Sequence, residues 1–234
     1  MNLTNRIALV TGASRGIGAA TAEALAKAGA HVILVARDAA SLETVEQRIH
    51  DAGGQATIAP LDLAQGDSVA RLASAIAQRW EKLDLLVLNA ATLGTLSPLA
   101  QTEQAELNRV FTLNVMAQQA LIAAFEPLLR RSDAGRLIAL TSSVARSPRA
   151  YWGAYAASKA ALEVLVQTLG EELRAISPVR TAIVDPGATR TAMRARAFPG
   201  EDAAQLKDPA VVGEAIVELL KDDFEETRFI ALPR

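Results

Sequence analysis

Short apolar runs, rich in residues that favour strands, recur along the chain and alternate with stretches of helical composition. They lie at residues 7–10, 32–36, 57–59, 83–88, 137–140, 181–184 and 229–232. Apolar runs without polar alternation are typical of parallel strands that are buried on both faces. The stretches between them are rich in Ala, Leu, Glu and Arg, and glycines such as Gly29 and Gly53 follow two of them as helix terminators. This alternation predicts an α/β fold, a doubly wound parallel sheet with helices on both faces.

The pattern is less regular at residues 187–209, which show neither a clear strand nor a clear helix. Segments of this length without regular structure are usually functional when they occur inside a compact domain. Elsewhere the chain has no low-complexity stretch and no Pro/Gly/Ser-rich linker. We therefore predict one domain over residues 1–234, with a substrate lid at residues 187–209.

Composition narrows the possible functions. Half of the residues are apolar, the net charge is −2 and both signs are mixed along the chain, which favours neither a nucleic-acid nor a membrane-surface partner. No apolar run approaches the roughly 18 residues of a membrane span, and no signal peptide is expected. The absence of cysteine excludes disulfides and thiolate metal sites, so a cytoplasmic location is expected. His31 and His50 lack metal-ligand spacing, so no metal is predicted.

A glycine-rich turn follows the first predicted strand and precedes a predicted helix. It reads Thr11-Gly12-Ala13-Ser14-Arg15-Gly16-Ile17-Gly18. Glycine lets the backbone approach a pyrophosphate closely, and the helix N-terminus offers free N–H groups and the positive end of its dipole. The spacing G-x-x-x-G-x-G differs from the commoner G-x-G-x-x-G, and an ordinary glycine turn is the alternative. Its position between a strand and a helix favours a dinucleotide site.

A tyrosine and a lysine lie four residues apart at the start of a long predicted helix, at Tyr155 and Lys159. Residues with this spacing are neighbours on one helix face. A phenol has a pKa near 10, and a lysine ammonium one turn away stabilises its anion. Tyr155 thereby becomes a usable general acid or base. The alternative is a surface tyrosine beside a lysine that extends along the helix.

Together these motifs resemble those of the short-chain dehydrogenase/reductase family in its compact single-domain form, over nearly the whole chain. Further matches occur in the family's order, at Asp62, Asn89-Ala90, Asn114, Ser142 and Pro186-Gly187. The resemblance implies a Rossmann-type fold with a seven-stranded parallel sheet, a nicotinamide cofactor and a catalytic tetrad. The implied tetrad is Asn114, Ser142, Tyr155 and Lys159.

The resemblance also implies a role for each member of the tetrad. Tyr155 passes the proton to the carbonyl oxygen, and Ser142 hydrogen-bonds that oxygen. Lys159 lowers the tyrosine pKa and holds the nicotinamide ribose, while Asn114 anchors a water that replenishes the proton through Lys159. Ser143 is the alternative serine, because neighbouring residues at a strand end point to opposite faces and only one can serve.

The cofactor contacts implied by the resemblance come from several separate segments. They are Gly12, Ser14, Arg15, Gly16, Ile17, Gly18, Arg37, Asp62, Asn89, Ala90, Tyr155, Lys159, Pro186, Gly187, Thr189 and Thr191. Asp62 corresponds to the residue that hydrogen-bonds the adenine amino group, and the 186–191 segment to the one that meets the nicotinamide carboxamide through the Thr189 backbone and the Thr191 hydroxyl. The family's Asn-Asn-Ala-Gly stretch is altered here, with Leu88 and Ala91 at its two ends.

The end of the second strand predicts which cofactor is preferred. The family's ribose-binding acid falls on Ala36, and the next residue, Arg37, can bind a 2′-phosphate in a bidentate manner. Arg15 in the glycine turn can add a second positive charge. Asp38 is the competing ribose ligand, but it lies where a helix N-cap is expected. We therefore expect NADP(H) to be preferred, with NAD(H) possible.

These observations predict an NADP-dependent oxidoreductase that interconverts a carbonyl and an alcohol on a small molecule. A nicotinamide-binding sensor without turnover is the alternative. A third possibility, a sugar-nucleotide epimerase, would need an extra substrate domain, for which this chain has no room. Tyr151 and Trp152 are candidate walls of the substrate pocket. The charged residues of the 187–209 segment suit a solvated face better than an anion site. The segment is similar to a poorly characterised bacterial subgroup, which indicates no substrate.

A homodimer is expected, with a tetramer as the alternative. The predicted helices 107–130 and 155–173 carry apolar residues on more than one face, so one face would remain exposed in a monomer. In the family that the chain resembles, these two helices form the usual dimer contact.

Overall fold

The computed structural model describes residues 2–233, and seven strands form one sheet in it. The strands are β1 (Ile7–Thr11), β2 (His31–Ala36), β3 (Gln55–Pro60), β4 (Leu85–Leu88), β5 (Arg136–Leu140), β6 (Arg180–Asp185) and β7 (Arg228–Ala231). Their spatial order is β3-β2-β1-β4-β5-β6-β7, and every neighbouring pair is parallel. The doubly wound fold is confirmed. The strand order reverses between β1 and β4, which is where such folds bind ligands.

Helices cover both faces of the sheet and bury two separate core layers. They are α1 (Gly16–Lys27), α2 (Ala39–Asp51), α3 (Ser68–Arg79), α4 (Gln104–Phe111), α5 (Ala117–Arg130), α6 (Gly153–Arg174), α7 (Ala192–Ala197) and α8 (Pro209–Leu219). Helices α1, α2 and α8 contribute to one core layer, and α3, α5 and α6 contribute to the other. No helix among residues 2–233 has the length and apolar character that a bilayer crossing requires.

All seven predicted strands match to within two residues at each end, and the predicted run 83–88 starts two residues late, at Leu85. Directly before this strand, Asp84 is fully buried and accepts a hydrogen bond from the Ile7 backbone N–H (2.9 Å) through its carboxylate. The same carboxylate accepts from Arg6 (2.8 Å) and from the Ser132 hydroxyl (2.6 Å). The Asp84 backbone also bonds to Ile7 and Arg136 (2.9 Å each), so the side chain adds to the backbone pairing at the entry to β4.

The hydrophobic pattern did not predict two features of the structure. The predicted helix 107–130 is divided into α4 and α5 by a π-helical turn at Thr112–Met116. The 187–209 segment is partly ordered, since it contains α7 and a 3₁₀ turn at Ala203–Gln205. Single π-helical turns inside α-helices are frequent at functional sites, and this one contains Asn114.

Candidate active site

The glycine turn joins β1 to α1 and leaves no room for side chains. Gly12 and Gly16 have positive φ angles of 66° and 58°, which L-residues rarely adopt. A Cβ added to Gly18 would collide with the carbonyl of Gly12 and the amide of Asn89. No side-chain hydrogen bond caps α1, whose N-cap is Arg15. The residues present therefore fit a pyrophosphate, which needs close backbone approach and an uncapped helix N-terminus.

Asn89, which follows the neighbouring strand β4, holds the glycine turn by hydrogen bonds. Its Nδ2 donates to the carbonyls of Thr11 (2.8 Å) and Gly12 (3.2 Å). In return, the Thr11 hydroxyl accepts from the backbone N–H groups of Asn89 (3.0 Å) and Ala90 (3.1 Å). The side chain of Asn89 thus holds the glycine turn in shape.

The end of β2 has the charge arrangement that the sequence predicts. Arg15 and Arg37 are both exposed, and no ion pair joins either of them to a carboxylate within residues 2–233. Asp38 is the N-cap of α2, where its carboxylate accepts from the Ser41 N–H (3.1 Å) and the Ser41 hydroxyl. The geometry therefore favours Asp38 as a helix cap and leaves the two arginines available to an anion. At the end of β3, the half-buried Asp62 accepts from the Ala64 N–H (3.0 Å).

Tyr155 and Lys159 lie in the first two turns of α6, and both side chains are almost fully buried. The Nζ of Lys159 donates to the Leu140 carbonyl at the end of β5 (2.7 Å) and lies 5.9 Å from the centre of the Tyr155 ring. Burial raises the pKa of Tyr155, and the charge of Asp185 raises it further. Burial lowers the pKa of Lys159 to about 8, and the Glu163 carboxylate opposes this effect. The pair is thus desolvated, and the pKa of Tyr155 is raised by burial and by Asp185, where the resemblance implies a lowered one.

Asn114 is fully buried inside the π-helical turn. Its Nδ2 donates to the Thr92 carbonyl (2.9 Å) and to the Ser158 hydroxyl (3.0 Å), and its Oδ1 accepts from the Thr92 N–H (2.8 Å). Both side-chain N–H groups are therefore in use, and one lone pair of Oδ1 remains for a water. Ser158 precedes Lys159, so Asn114 contacts α6 next to the lysine.

The two adjacent serines differ in their surroundings. Ser142 continues β5 in an extended conformation (φ −157°, ψ 149°) and is half-buried. Ser143 is exposed and begins a 3₁₀ turn, in which Val144 packs against Tyr155. The half-buried position directly after the strand favours Ser142 over Ser143.

A buried carboxylate behind these serines was not predicted. Glu163 accepts from the Thr141 hydroxyl (2.5 Å) and from Nε of Arg146 (3.0 Å). The guanidinium of Arg146 also stacks on Phe229 of β7, 3.1 Å from the ring centre. The sequence contains one signal for this buried carboxylate: Glu163 lies four residues after Lys159 and therefore on the same helix face. The cluster ties β5, α6 and β7 together immediately behind Ser142.

The segment after β6 runs across the glycine turn. Gly187 has a positive φ of 64°, and the buried Thr189 donates to the Pro186 carbonyl (3.1 Å). The Thr191 hydroxyl caps α7 by accepting from the Arg194 N–H (3.1 Å), so its own O–H can still donate. The Thr191 methyl would lie 3.3 Å from a Cβ on Gly16. The predicted carboxamide contacts and the phosphate turn are therefore adjacent.

Apolar side chains pack around Tyr155. Leu93, Val144 and Ala156 are buried with Tyr155, and the partly buried residues packed against them are Leu96, Trp152, Met193 and Ala197. The Trp152 ring lies 6.0 Å from Tyr155 and 5.5 Å from Phe198, which follows α7. Trp152 thus packs beside Tyr155, and its role as a wall of the substrate pocket stays a prediction. Tyr151 is 60% exposed and lies outside this cluster. Leu93 and Leu96 were not predicted as neighbours of Tyr155, because the sequence of a loop does not show what the loop packs against.

Comparison with known proteins agrees with the fold and with these motifs. The sequence model of the family described as short chain dehydrogenase matches residues 6–202. The chain is 42% identical to the uncharacterized oxidoreductase YciK of Escherichia coli K12, over 94% of this chain and 88% of that protein. It is 32% identical to the vibriobactin-specific 2,3-dihydro-2,3-dihydroxybenzoate dehydrogenase of Vibrio cholerae, over 95% and 92% of the two chains.

Solved structures give the same result. A short chain dehydrogenase from Shigella flexneri, complexed with NADP, superposes with a TM-score of 0.92 at 40% identity, over 98% of both chains. One from Escherichia coli CFT073, complexed with NADPH, superposes with a TM-score of 0.92 at 41% identity, over 98% of both chains. The chain therefore belongs to the short-chain dehydrogenase family, a family of oxidoreductases.

Proposed function

We propose that the protein interconverts a carbonyl and an alcohol with NADP(H), using Tyr155 as the general acid/base. One observation carries the proposal: the ammonium of Lys159 is fixed by the Leu140 carbonyl one helical turn from the buried phenol of Tyr155. That arrangement serves no evident packing purpose, because two polar groups are desolvated there at a cost in free energy. It is the arrangement that a tyrosine acid/base requires.

The glycine turn and the 186–191 segment would hold the cofactor, which supplies the hydride in reduction and accepts it in oxidation. In reduction, the Tyr155 O–H donates its proton to the carbonyl oxygen as the new C–H bond forms. In oxidation, the phenolate takes the alcohol proton. The positive charge of Lys159 stabilises that phenolate, and burial strengthens the interaction because the surroundings have a low dielectric constant.

Ser142 and Asn114 complete the proposed site. The Ser142 hydroxyl donates to the substrate oxygen and so holds it towards Tyr155, an interaction that gains strength as negative charge develops. Asn114 positions the helix turn next to Lys159 through Ser158, and the free lone pair of its Oδ1 can hold a water that returns a proton to Lys159. The 187–209 segment acts as a lid on this site, within one domain formed by the whole chain.

NADP(H) is favoured over NAD(H) by two exposed arginines, Arg15 at the N-cap of α1 and Arg37 directly after β2. Similar proteins of solved structure are complexed with NADP or NADPH, which supports the proposal. The names of the curated relatives span a dihydrodihydroxybenzoate dehydrogenase, a glycine betaine reductase and a fatty acyl-CoA reductase, so they do not define one substrate. A cytoplasmic location stays a prediction from the cysteine-free sequence.

The experiment that tests the proposed function compares the wild type with Tyr155→Phe. NADPH oxidation is followed with a panel of aldehydes, ketones and quinones, and NADPH binding is measured by calorimetry. We expect turnover to fall by about 10²- to 10⁴-fold while the dissociation constant of NADPH changes little, since the ring is kept and only the proton is lost. A variant with more than about a tenth of the wild-type activity would exclude Tyr155 as the acid/base. NADPH binding without turnover on any carbonyl would favour a sensor.

A further inference from the structure

A cavity of about 300 Å³ adjoins the apolar cluster around Tyr155. Its lining residues are Leu93, Gly94, Thr95, Leu96, Arg109 and Arg196. Leu93 and Leu96 also pack in the cluster around Tyr155, so the cavity borders the proposed reaction site. The cavity is thus placed where the remote end of a substrate bound at Tyr155 could meet the two arginines.

Arg196 differs from the other arginines of the 187–209 segment. Arg190 is paired with Asp208, and Arg194 is paired with Glu201. Arg196 instead donates from Nη2 to the backbone carbonyl of Gly94 (2.8 Å), and no salt bridge joins it to a carboxylate within residues 2–233. A guanidinium has five N–H donors, so this single hydrogen bond fixes its position and leaves other donors for a ligand.

The second arginine of the cavity is neutralised by its neighbour. Arg109 forms a bidentate pair with Glu106, with distances of 2.8 Å from Nε and 2.7 Å from Nη2. This pairing lowers the pKa of Glu106 to about 2, so the carboxylate is ionised at neutral pH. Glu106 also accepts from the Thr95 N–H (2.6 Å), which fixes the pair at the edge of the cavity. The net positive charge of the cavity therefore comes from Arg196.

We propose that the substrate carries a carboxylate at the end remote from its reacting carbonyl, and that Arg196 binds this carboxylate. The inference rests on the proposed function, because it assumes that the carbonyl lies at Tyr155. The rings of Trp152 and Phe198 and the side chain of Leu93 supply an apolar wall for the body of the substrate between the two polar ends. The substrate class is thus an apolar or aromatic aldehyde, ketone or alcohol with a carboxylate at its far end. The planar fork of arginine matches the two oxygens of that group.

The test uses two aldehydes of nearly equal shape, 4-carboxybenzaldehyde and 4-formylbenzamide, with NADPH. We expect kcat/KM of the wild type to be about tenfold to a hundredfold higher for the carboxylate, the range expected for a hydrogen bond to a charged group. Arg196→Gln removes the charge but keeps a donor, and should bring the ratio of the two kcat/KM values close to one. Arg71→Gln is the matched control, because it removes an exposed arginine that is paired with a carboxylate and does not line the cavity, and it should leave the ratio unchanged.

A binding measurement keeps the inference testable without turnover. Calorimetry on the protein loaded with NADP compares benzoate with benzamide in the wild type and in Arg196→Gln. Tighter binding of benzoate that is lost in the variant supports the inference, even where neither aldehyde is reduced and the proposed function fails. Equal binding of the two compounds, a ratio that Arg196→Gln leaves unchanged, or a wild-type preference for the amide would overturn it. Reduction of both aldehydes at equal rates would overturn it while leaving the proposed function standing.

Discussion

Replacing Lys159 by methionine should make the protein more stable while it abolishes turnover. Lys159 is 2% exposed, and burial lowers its pKa from 10.5 to about 8. One pH unit of displacement corresponds to about 1.36 kcal/mol, so holding the lysine charged in the folded protein at neutral pH costs about 3 kcal/mol. Methionine removes that cost but also the hydrogen bond to the Leu140 carbonyl, which is worth about 1 to 3 kcal/mol. The expected net gain is about 1 kcal/mol at neutral pH.

The gain should depend on pH in a defined direction. Because the pKa of Lys159 is lower in the folded than in the unfolded protein, the folded wild type binds fewer protons between about pH 8 and 10.5. Its stability therefore rises with pH over that interval. Lys159→Met lacks this titration, so its advantage over the wild type should disappear, and then reverse, as the pH approaches 10.5.

Urea denaturation of the cofactor-free proteins, followed by tryptophan fluorescence, measures the free energy of unfolding of the wild type and of Lys159→Met. The measurement is made at neutral pH and near the upper end of the interval. Lys27→Met is the matched control, because Lys27 is exposed in the last turn of α1, and its stability should stay within about 0.5 kcal/mol of wild type. A Lys159→Met protein that is less stable than the wild type at neutral pH would refute the reasoning. Parallel pH dependences in the two proteins would do the same.

Three further predictions concern the cofactor, the acid/base and the assembly. Arg37→Ala should raise the Michaelis constant for NADPH at least tenfold and leave that for NADH nearly unchanged; a wild type that already prefers NADH would contradict this. Asp185→Asn should lower the pKa of Tyr155, since the Asp185 charge raises it, and so move the rise of alcohol oxidation to lower pH; coincident pH profiles would contradict this. Met116 and Val164, which are 63% and 59% exposed, should lie in a homodimer contact, so sedimentation should show a dimer at micromolar concentration rather than a monomer.

The sequence predicted those features that depend on neighbours along the chain. The apolar runs located the strands because burial on both faces leaves a local pattern, and Asp38 was assigned correctly as a helix cap because capping depends on the next three residues. The glycine turn and the Tyr155–Lys159 spacing are similarly local. Each of these could be derived without knowing what lies opposite in the fold.

The features that were missed depend on contacts between distant residues. The buried carboxylate of Asp84 before β4 accepts from Arg6, Ile7 and Ser132, which lie 78, 77 and 48 residues away. The π-helical turn is held by Asn114 through Thr92 and Ser158, 22 and 44 residues away. Arg196 reaches Gly94 across 102 positions. Spacing along the chain contains no information on such pairs.

The stacking of Arg146 on Phe229 has a consequence for synthesis of the chain. The strands that surround the glycine turn, β1 to β4, are complete once residue 88 has been made, whereas Phe229 lies in the final strand. Domains generally fold as units, and the core layer of α1 and α2 also needs α8, which is made after residue 208. The corner behind Ser142 waits in addition for Phe229. A nascent chain should therefore gain its cofactor site and its catalytic corner together, once β7 has been made.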